Sequence, residues 1–287
     1  MARLQWEHLY LHDTEAFMTI PNAIPNTIPN MPQRTAKEQF DRQATHYDVQ
    51  WSQWTEESLA WMLTHAGCTP EDNVLDVATG TGFTAFGFAP HVRWVTGLDV
   101  SSGMLEQARL RAAERGIANV TFVEGAAETL PFPDAHFDLV TCRIAPHHFL
   151  SVPGFLAEVR RVLRPGGRLI LADTSVPDDA EAAVWQNEVE ALRDPSHVRN
   201  YTQVEWERAV TEAGLVVDAV ETLPGSIPIT LNDWLVKSGC TGEQAQQVRQ
   251  AFVHAPAAAR DAYQVEPLAD GDYGFRWHRI ALVAHNS

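Results

Sequence analysis

The chain has 287 residues, 45% of them hydrophobic and 20% charged, which are the proportions of a globular protein and exclude a disordered one. Its 21 Lys and Arg are outweighed by 37 Asp and Glu, and the formal net charge of −16 argues against nucleic acid as a partner, since phosphate contacts need clustered cations. No uninterrupted apolar run reaches the ~18 residues that a membrane span requires.

In chain order, the N-terminal octapeptide from Met1 to His8 is too polar for a signal peptide, so a cytoplasmic protein is expected. Ile-Pro-Asn recurs at 20–22, 24–26 and 28–30, and each proline removes an amide donor and restrains its predecessor. Residues 1–33 therefore read as an arm, a short helix on a Pro/Asn-rich tether. Its Trp6, Leu9 and Tyr10 suit docking on another subunit of a homo-oligomer or over a site. Residues 34–287 read as one domain. Helices are predicted at 35–46, 54–66 and 102–115. Strands are predicted at 73–78 and near 93–99, 119–124, 137–142 and 167–173, with two more at 214–220 and 277–284. Strand–helix alternation at this spacing predicts an α/β fold, a doubly wound and mostly parallel sheet of seven strands. Segments 176–202 and 223–270 are insertions, the second with helical stretches at 231–237 and 243–254. They are expected to cap a substrate pocket. Three scattered cysteines, Cys68, Cys142 and Cys240, suit neither a disulfide framework nor a thiolate metal site, and no metal is predicted.

The strongest chemical signal is Leu75-Asp76-Val77-Ala78-Thr79-Gly80-Thr81-Gly82 after the first strand. Glycines there let the chain turn sharply and approach a ligand, at the sheet end where open α/β folds bind nucleotides. Gly80-Thr81-Gly82-Phe83-Thr84-Ala85 also satisfies G-x-G-x-x-A, so this loop alone leaves open a nicotinamide dehydrogenase or a nucleoside-binding transferase. Asp99, closing the second strand, can accept hydrogen bonds from both hydroxyls of a ribose.

Downstream, Gly125-Ala126-Ala127-Glu128-Thr129-Leu130-Pro131-Phe132 leads through Asp138-Leu139-Val140 into Thr141-Cys142-Arg143. The run Arg161-Val162-Leu163-Arg164-Pro165-Gly166-Gly167-Arg168 follows. With these motifs, the stretch from Phe40 to Ile170 resembles class I S-adenosylmethionine (SAM)-dependent methyltransferases, above all the ubiquinone/menaquinone-biosynthesis type and related small-molecule enzymes. The resemblance implies SAM as cofactor. It implies that Asp76 orients the loop formed by Ala78, Thr79, Gly80 and Gly82, and that Asp99 takes the ribose. Val100 and Met104 would sandwich the adenine, with Ala127 and Glu128 at its edge. Arg143 would lie near the methionine portion and Tyr47 would close over the cofactor. Where the family usually has an aspartate for the adenine amine, this chain has Ala126, so backbone groups or water would hold the adenine.

The resemblance also puts Ile144-Ala145-Pro146-His147-His148-Phe149 beside the reactive methyl. His148, and less so His147, is a candidate general base, since imidazole titrates near neutrality. Adjacent histidines on a strand or helix point apart, which argues against a two-ligand metal site from this pair. Asp173 closes the fifth strand and faces the same region. Trp185, Glu190, His197 and Trp234 are candidate substrate contacts from the insertions, and nine tryptophans with twelve phenylalanines suit an apolar metabolite. The expected activity is methyl transfer to an oxygen or carbon of a small isoprenoid, phenolic or polycyclic molecule. The alternatives are a SAM-binding enzyme that does not methylate, such as a cyclase, and an NAD-dependent oxidoreductase.

Overall fold

The computed structural model describes residues 34–44, 48–223 and 229–287. The arm of residues 1–33 and Tyr47 lie outside the described residues. Thr35 and Glu38 form a capping box that starts α1 (Ala36–Gln43), and α2 (Asp48–His65) follows. The alternating region then runs β1 (Asn73–Val77), α3 (Phe83–Phe88), β2 (Trp94–Asp99), α4 (Ser102–Glu114), β3 (Val120–Glu124), β4 (Phe137–Arg143), α5 (Val152–Val162) and β5 (Leu163–Ser175). Next come α6 (Ala180–Arg193), α7 (Gln203–Glu212) and β6 (Leu215–Leu223). The second insertion comprises β7 (Ile229–Thr230), α8 (Leu231–Ser238), α9 (Gly242–Val253), α10 (Ala257–Tyr263), β8 (Glu266–Pro267) and β9 (Tyr273–Phe275), and β10 (His278–Asn286) ends the chain.

The main sheet has seven strands in the order β3-β2-β1-β4-β5-β10-β6. The five from β3 to β5 are parallel, and β10 is antiparallel to both of its neighbours, so β6 runs with the first five. Chain order reverses between β1 and β4, and loops leaving such a point diverge and open a crevice at the carboxyl ends of the strands. Strands buried on both faces favour apolar sequence, and β1 and β4 are buried over most of their length, with the buried polar residues Asp76 and Thr141 hydrogen-bonded to each other. One face packs Val77, Leu98 and Phe137 against Phe155, Leu156 and Trp206, while the other packs Val74, Val95 and Ile170 against Met62 and Phe88. The fifth strand starts at Leu163, earlier than the expected 167. Pro165-Gly166 reads as a break in sequence but sits within the strand, with Gly166 at φ +74° opposite a register shift in β4.

The two insertions pack together around their own aromatic core, in which Trp185 of α6 meets Phe252 of α9, Tyr263 of α10 and Trp277, and Trp234 of α8 meets Phe252, Phe275 and Trp277. Small β strands 7, 9 and 8 form a three-stranded sheet beside it. Trp185 and Trp234 are 7% and 2% exposed and Trp185 Nε1 donates to the Ala251 carbonyl, so both belong to the interior of this unit and not to a substrate surface.

Candidate active site

A cavity of about 540 Å³ opens at the crevice between β1 and β4. Its floor is the turn after β1, where Gly80 takes φ +55° and a Cβ built on it meets no atom within 4 Å. Only glycine leaves this stretch of backbone bare to the cavity. Gly82 serves differently: at φ +92° it starts α3, and a Cβ there would come within 2.6 Å of the Phe86 ring, so its glycine answers to packing and it does not line the cavity. Ala78 and Ile144, one on each side of the crevice, also have positive φ, a backbone strain that concentrates at functional sites.

Asp99 ties the floor together. Its Oδ2 accepts from the Gly80 N–H and its Oδ1 from the Ser101 N–H, each at 2.8 Å. Burial pushes its pKa up, against the hydrogen bonds that favour the carboxylate. Asp76 lies one layer below, 1% exposed and outside the cavity lining, accepting from the hydroxyls of Thr79 (2.6 Å) and Thr141 (2.7 Å). Burial pushes its pKa to about 6. Thr79, Val100, Met104, Ala126, Ala127 and Glu128 line the cavity with Asp99, and so does Arg143, whose Nε donates to Thr84 Oγ1 and whose guanidinium covers the Phe83 ring. The Glu128 carboxylate accepts from the backbone N–H groups of Leu150 and Ser151.

Sequence reasoning gave the closing role over the cofactor to Tyr47, outside the described residues, and did not single out the α1 residues that line the cavity. Arg34, Lys37 and Phe40 of the α1 region line the cavity, and α1 is fastened to the turn after β2. Asp41 accepts from Ser101 Oγ (2.6 Å) and Gly103 N–H (3.2 Å), while Lys37 Nζ donates to the Val100 carbonyl and to Glu124 (both 3.0 Å). The polar spacing of α1 gives its helicity but not the partner of each face, so only the fold brings these residues in.

Histidines from two distant segments meet at the other end. Pro146–His148 is a single turn of 3-10 helix, neither strand nor α-helix, which brings the rings of His147 and His148 to 4.2 Å where the sequence pattern had them pointing apart. His197 joins them, its centroid 5.7 Å from His147 and 6.5 Å from His148. His147 Nδ1 is 2.6 Å from Asp173 Oδ1, and the His147 backbone N–H donates to Asp173 Oδ2. Burial opposes charge on His147, but the carboxylate prevails and its pKa is raised. Burial, reinforced by the neighbouring His147, lowers the pKa values of His148 and His197. His148 and His197 line the cavity, whereas His147 and Asp173 stand behind its wall. Glu190 does not reach it either: it is 4% exposed and paired with Arg193, whose guanidinium stacks on Trp234. Among the described residues no group of three or more His, Cys, Asp or Glu side chains could hold a metal ion.

A family model described as a methyltransferase domain matches residues 74–167, which span β1 to the start of β5. The chain is 38% identical over 207 residues to the methyltransferase YcgJ of Bacillus subtilis, covering 72% of this chain and 81% of that one. The crystal structure of YcgJ superposes with a TM-score of 0.77 at 35% identity, covering 80% of this chain and 98% of YcgJ. A demethylmenaquinone methyltransferase of Symbiobacterium thermophilum is 40% identical over 162 residues, which are 52% of this chain and 62% of that enzyme.

Proposed function

Because the chain belongs to the class I SAM-dependent methyltransferases, we propose that it methylates an oxygen or carbon of a small apolar metabolite held above the carboxyl ends of β1, β2 and β4. The observation that carries this reading is the continuity of one cavity, from Gly80, Asp99 and Met104 at one end to His148, Phe149 and His197 at the other. SAM, when bound, supplies an electrophilic methyl group on a sulfonium. The bare backbone at Gly80 and the carboxylate of Asp99 suit an adenosyl group, and Leu98, Val100, Met104 and Ala127 suit its flat apolar face. Without an aspartate at Ala126, the adenine amine is left to backbone groups and water.

At the acceptor end, Phe40, Ala145, Phe149, Leu150 and Val198 give the apolar wall that supports a greasy metabolite. His148 lines that end and can accept a hydrogen bond from the acceptor, while burial and the neighbouring His147 lower its pKa and leave it a weaker base than a free imidazole. Its Nδ1 hydrogen is engaged by the Ser196 carbonyl, and its Nε2 has no hydrogen-bond partner among the described residues. Holding nucleophile and methyl in line supplies most of the acceleration such a site needs, up to about 7–11 kcal/mol. The insertions around 176–202 and 223–270 act in this proposal as a cap, contributing Pro195, Ser196, His197 and Val198 to the wall while their aromatic core keeps that wall rigid.

Titration calorimetry with the SAM product S-adenosylhomocysteine (SAH) and with NAD tests the proposal. Saturable binding of SAH and none of NAD is expected, and the reverse result overturns it. Turnover with methyl-labelled SAM against phenolic and prenylated acceptors should then give a product heavier by one CH2 unit; an isomerised product of unchanged mass would favour a cyclase. Asp41→Ala, which releases α1 from Ser101 and Gly103, is expected to weaken SAH binding roughly fivefold, or about 1 kcal/mol, with little change in thermal stability.

A further inference from the structure

The chain leaves α6 through Asp194 and returns along the cavity wall, stitched to the turn after β4. Val198 and Arg199 both donate their backbone N–H to the His147 carbonyl, at 2.8 and 3.1 Å. Ser196 meets His148 twice: its carbonyl oxygen lies 3.0 Å from Nδ1, and its Oγ 3.1 Å from the same nitrogen. A carbonyl can only accept, so Nδ1 carries the hydrogen. Burial and the neighbouring His147 disfavour a second proton, so the lone pair stays on Nε2. That Nε2 has no partner among the described residues and is not one of the enclosed orphaned atoms, so it is open to the cavity that His148 lines.

The Ser196 hydroxyl could work against this arrangement. Turned towards the ring, its hydrogen would call for a lone pair on Nδ1 and favour the other tautomer. Asp194 prevents that: its Oδ1 accepts the hydroxyl hydrogen at 2.7 Å and the Ser196 N–H at 2.9 Å, so Oγ shows His148 lone pairs alone. The turn itself needs only the N–H bond, and the hydroxyl bond is additional to it. Burial opposes charge on Asp194, but His148, Arg193 and the two Ser196 bonds outweigh it and its pKa is lowered. Asp194 is held from the insertions. Its N–H donates to the Glu190 carbonyl at the end of α6, and its Oδ2 is 3.9 Å from Arg193, whose guanidinium bonds Glu190 and stacks on Trp234. Asp194 and Ser196 are both buried, so water does not stand in for either.

We propose that Asp194 is a positioning residue for methyl transfer: through the Ser196 hydroxyl it holds His148 in the Nδ1-protonated tautomer and presents a lone pair to the methyl acceptor. This rests on the methyltransferase reading and deepens it, because the tautomer decides whether His148 takes a hydrogen bond from the acceptor or gives one. It also ties that choice to the aromatic core of the insertions, on which Arg193 rests.

The test uses the full chain, labelled with ¹⁵N in its histidines and saturated with SAH, with His148→Gln serving only to assign resonances. Long-range ¹H–¹⁵N correlation at neutral pH is expected to show His148 neutral and protonated on Nδ1 by about tenfold or more, the bias of one ordinary hydrogen bond. Asp194→Ala frees the hydroxyl and should move His148 mainly to the Nε2-protonated form. Asp194→Asn keeps an oxygen in place for the Ser196 N–H and hydroxyl, and should preserve the original tautomer. Asp194→Ala combined with Ser196→Ala should restore it, since the carbonyl then acts alone; a packing role for Asp194 gives no such recovery when a second side chain is lost. His148 protonated on Nε2, or on both nitrogens, in the unaltered chain overturns the proposal, and that measurement needs no variant to fold. An unchanged tautomer in Asp194→Ala, or no recovery in the double variant, overturns it equally. Saturation by SAH is read in the same sample, so a failure of the methyltransferase reading itself is seen separately as absence of SAH binding.

Discussion

Asp99→Ala is expected to lower SAM affinity by about two orders of magnitude, the largest loss from any single truncation on the cavity floor. Charge-assisted hydrogen bonds to ribose hydroxyls contribute about 1.5–3 kcal/mol each, and each 1.4 kcal/mol is a factor of ten. The same carboxylate holds the Gly80 and Ser101 N–H groups, so its loss also frees the turn that carries the bare glycine backbone and the Ser101 cap of α4. Calorimetry separates the two contributions when Asp99→Asn is measured alongside. Asparagine keeps one acceptor and the side-chain volume, and should recover part of the loss. Unchanged SAM affinity in Asp99→Ala would reduce Asp99 to a loop fastener and remove the ribose contact from the proposal.

The floor of the site was legible in sequence because strand ends and glycine turns are local signals. A buried apolar run, a turn with glycine at 80 and a carboxylate closing the next strand place Asp76, Gly80 and Asp99 within one βαβ unit, without knowledge of anything distant. The acceptor side was legible only in part. His148 and His197 could be singled out as residue types, but their meeting depends on a 3-10 turn after β4 and a turn after α6, 49 residues apart in number and joined by the Ser196–His148 contact. Trp185 and Trp234 went astray for the opposite reason. An aromatic residue in an insertion gives the same signal whether it lines a cavity or builds a core, and α6, α8, α9 and α10 bury enough aromatic surface to need a core of their own. Glu190 followed them because its partner Arg193 stacks on Trp234, an arrangement that i, i+3 spacing permits but does not announce.

Asp76→Asn is expected to stabilise the protein while impairing it. Burial raises the Asp76 pKa from 3.8 to about 6, so the folded state holds a proton there more tightly than the unfolded chain does. The sign follows: relative to a neutral side chain, the carboxylate costs nothing below pH 3.8, and the cost grows as pH rises through the folded pKa. Above it the cost levels off at about 3 kcal/mol, about 2.2 pKa units at 1.36 kcal/mol each. Asparagine keeps the shape, and the hydroxyls of Thr79 and Thr141 can rotate to serve an amide. Thermal unfolding of the ligand-free protein should therefore show the variant melting several degrees higher at pH 8, with the gain shrinking to about half at pH 5. Binding should move the other way. A buried negative charge beneath the glycine turn is unfavourable in the empty protein and favourable once a cation lies above it, so SAM affinity is expected to fall at least tenfold. A variant that melts no higher at pH 8, or gains equally at both pH values, would mean that Asp76 is already neutral or well solvated, and its stored electrostatic cost would not be available to grip a sulfonium.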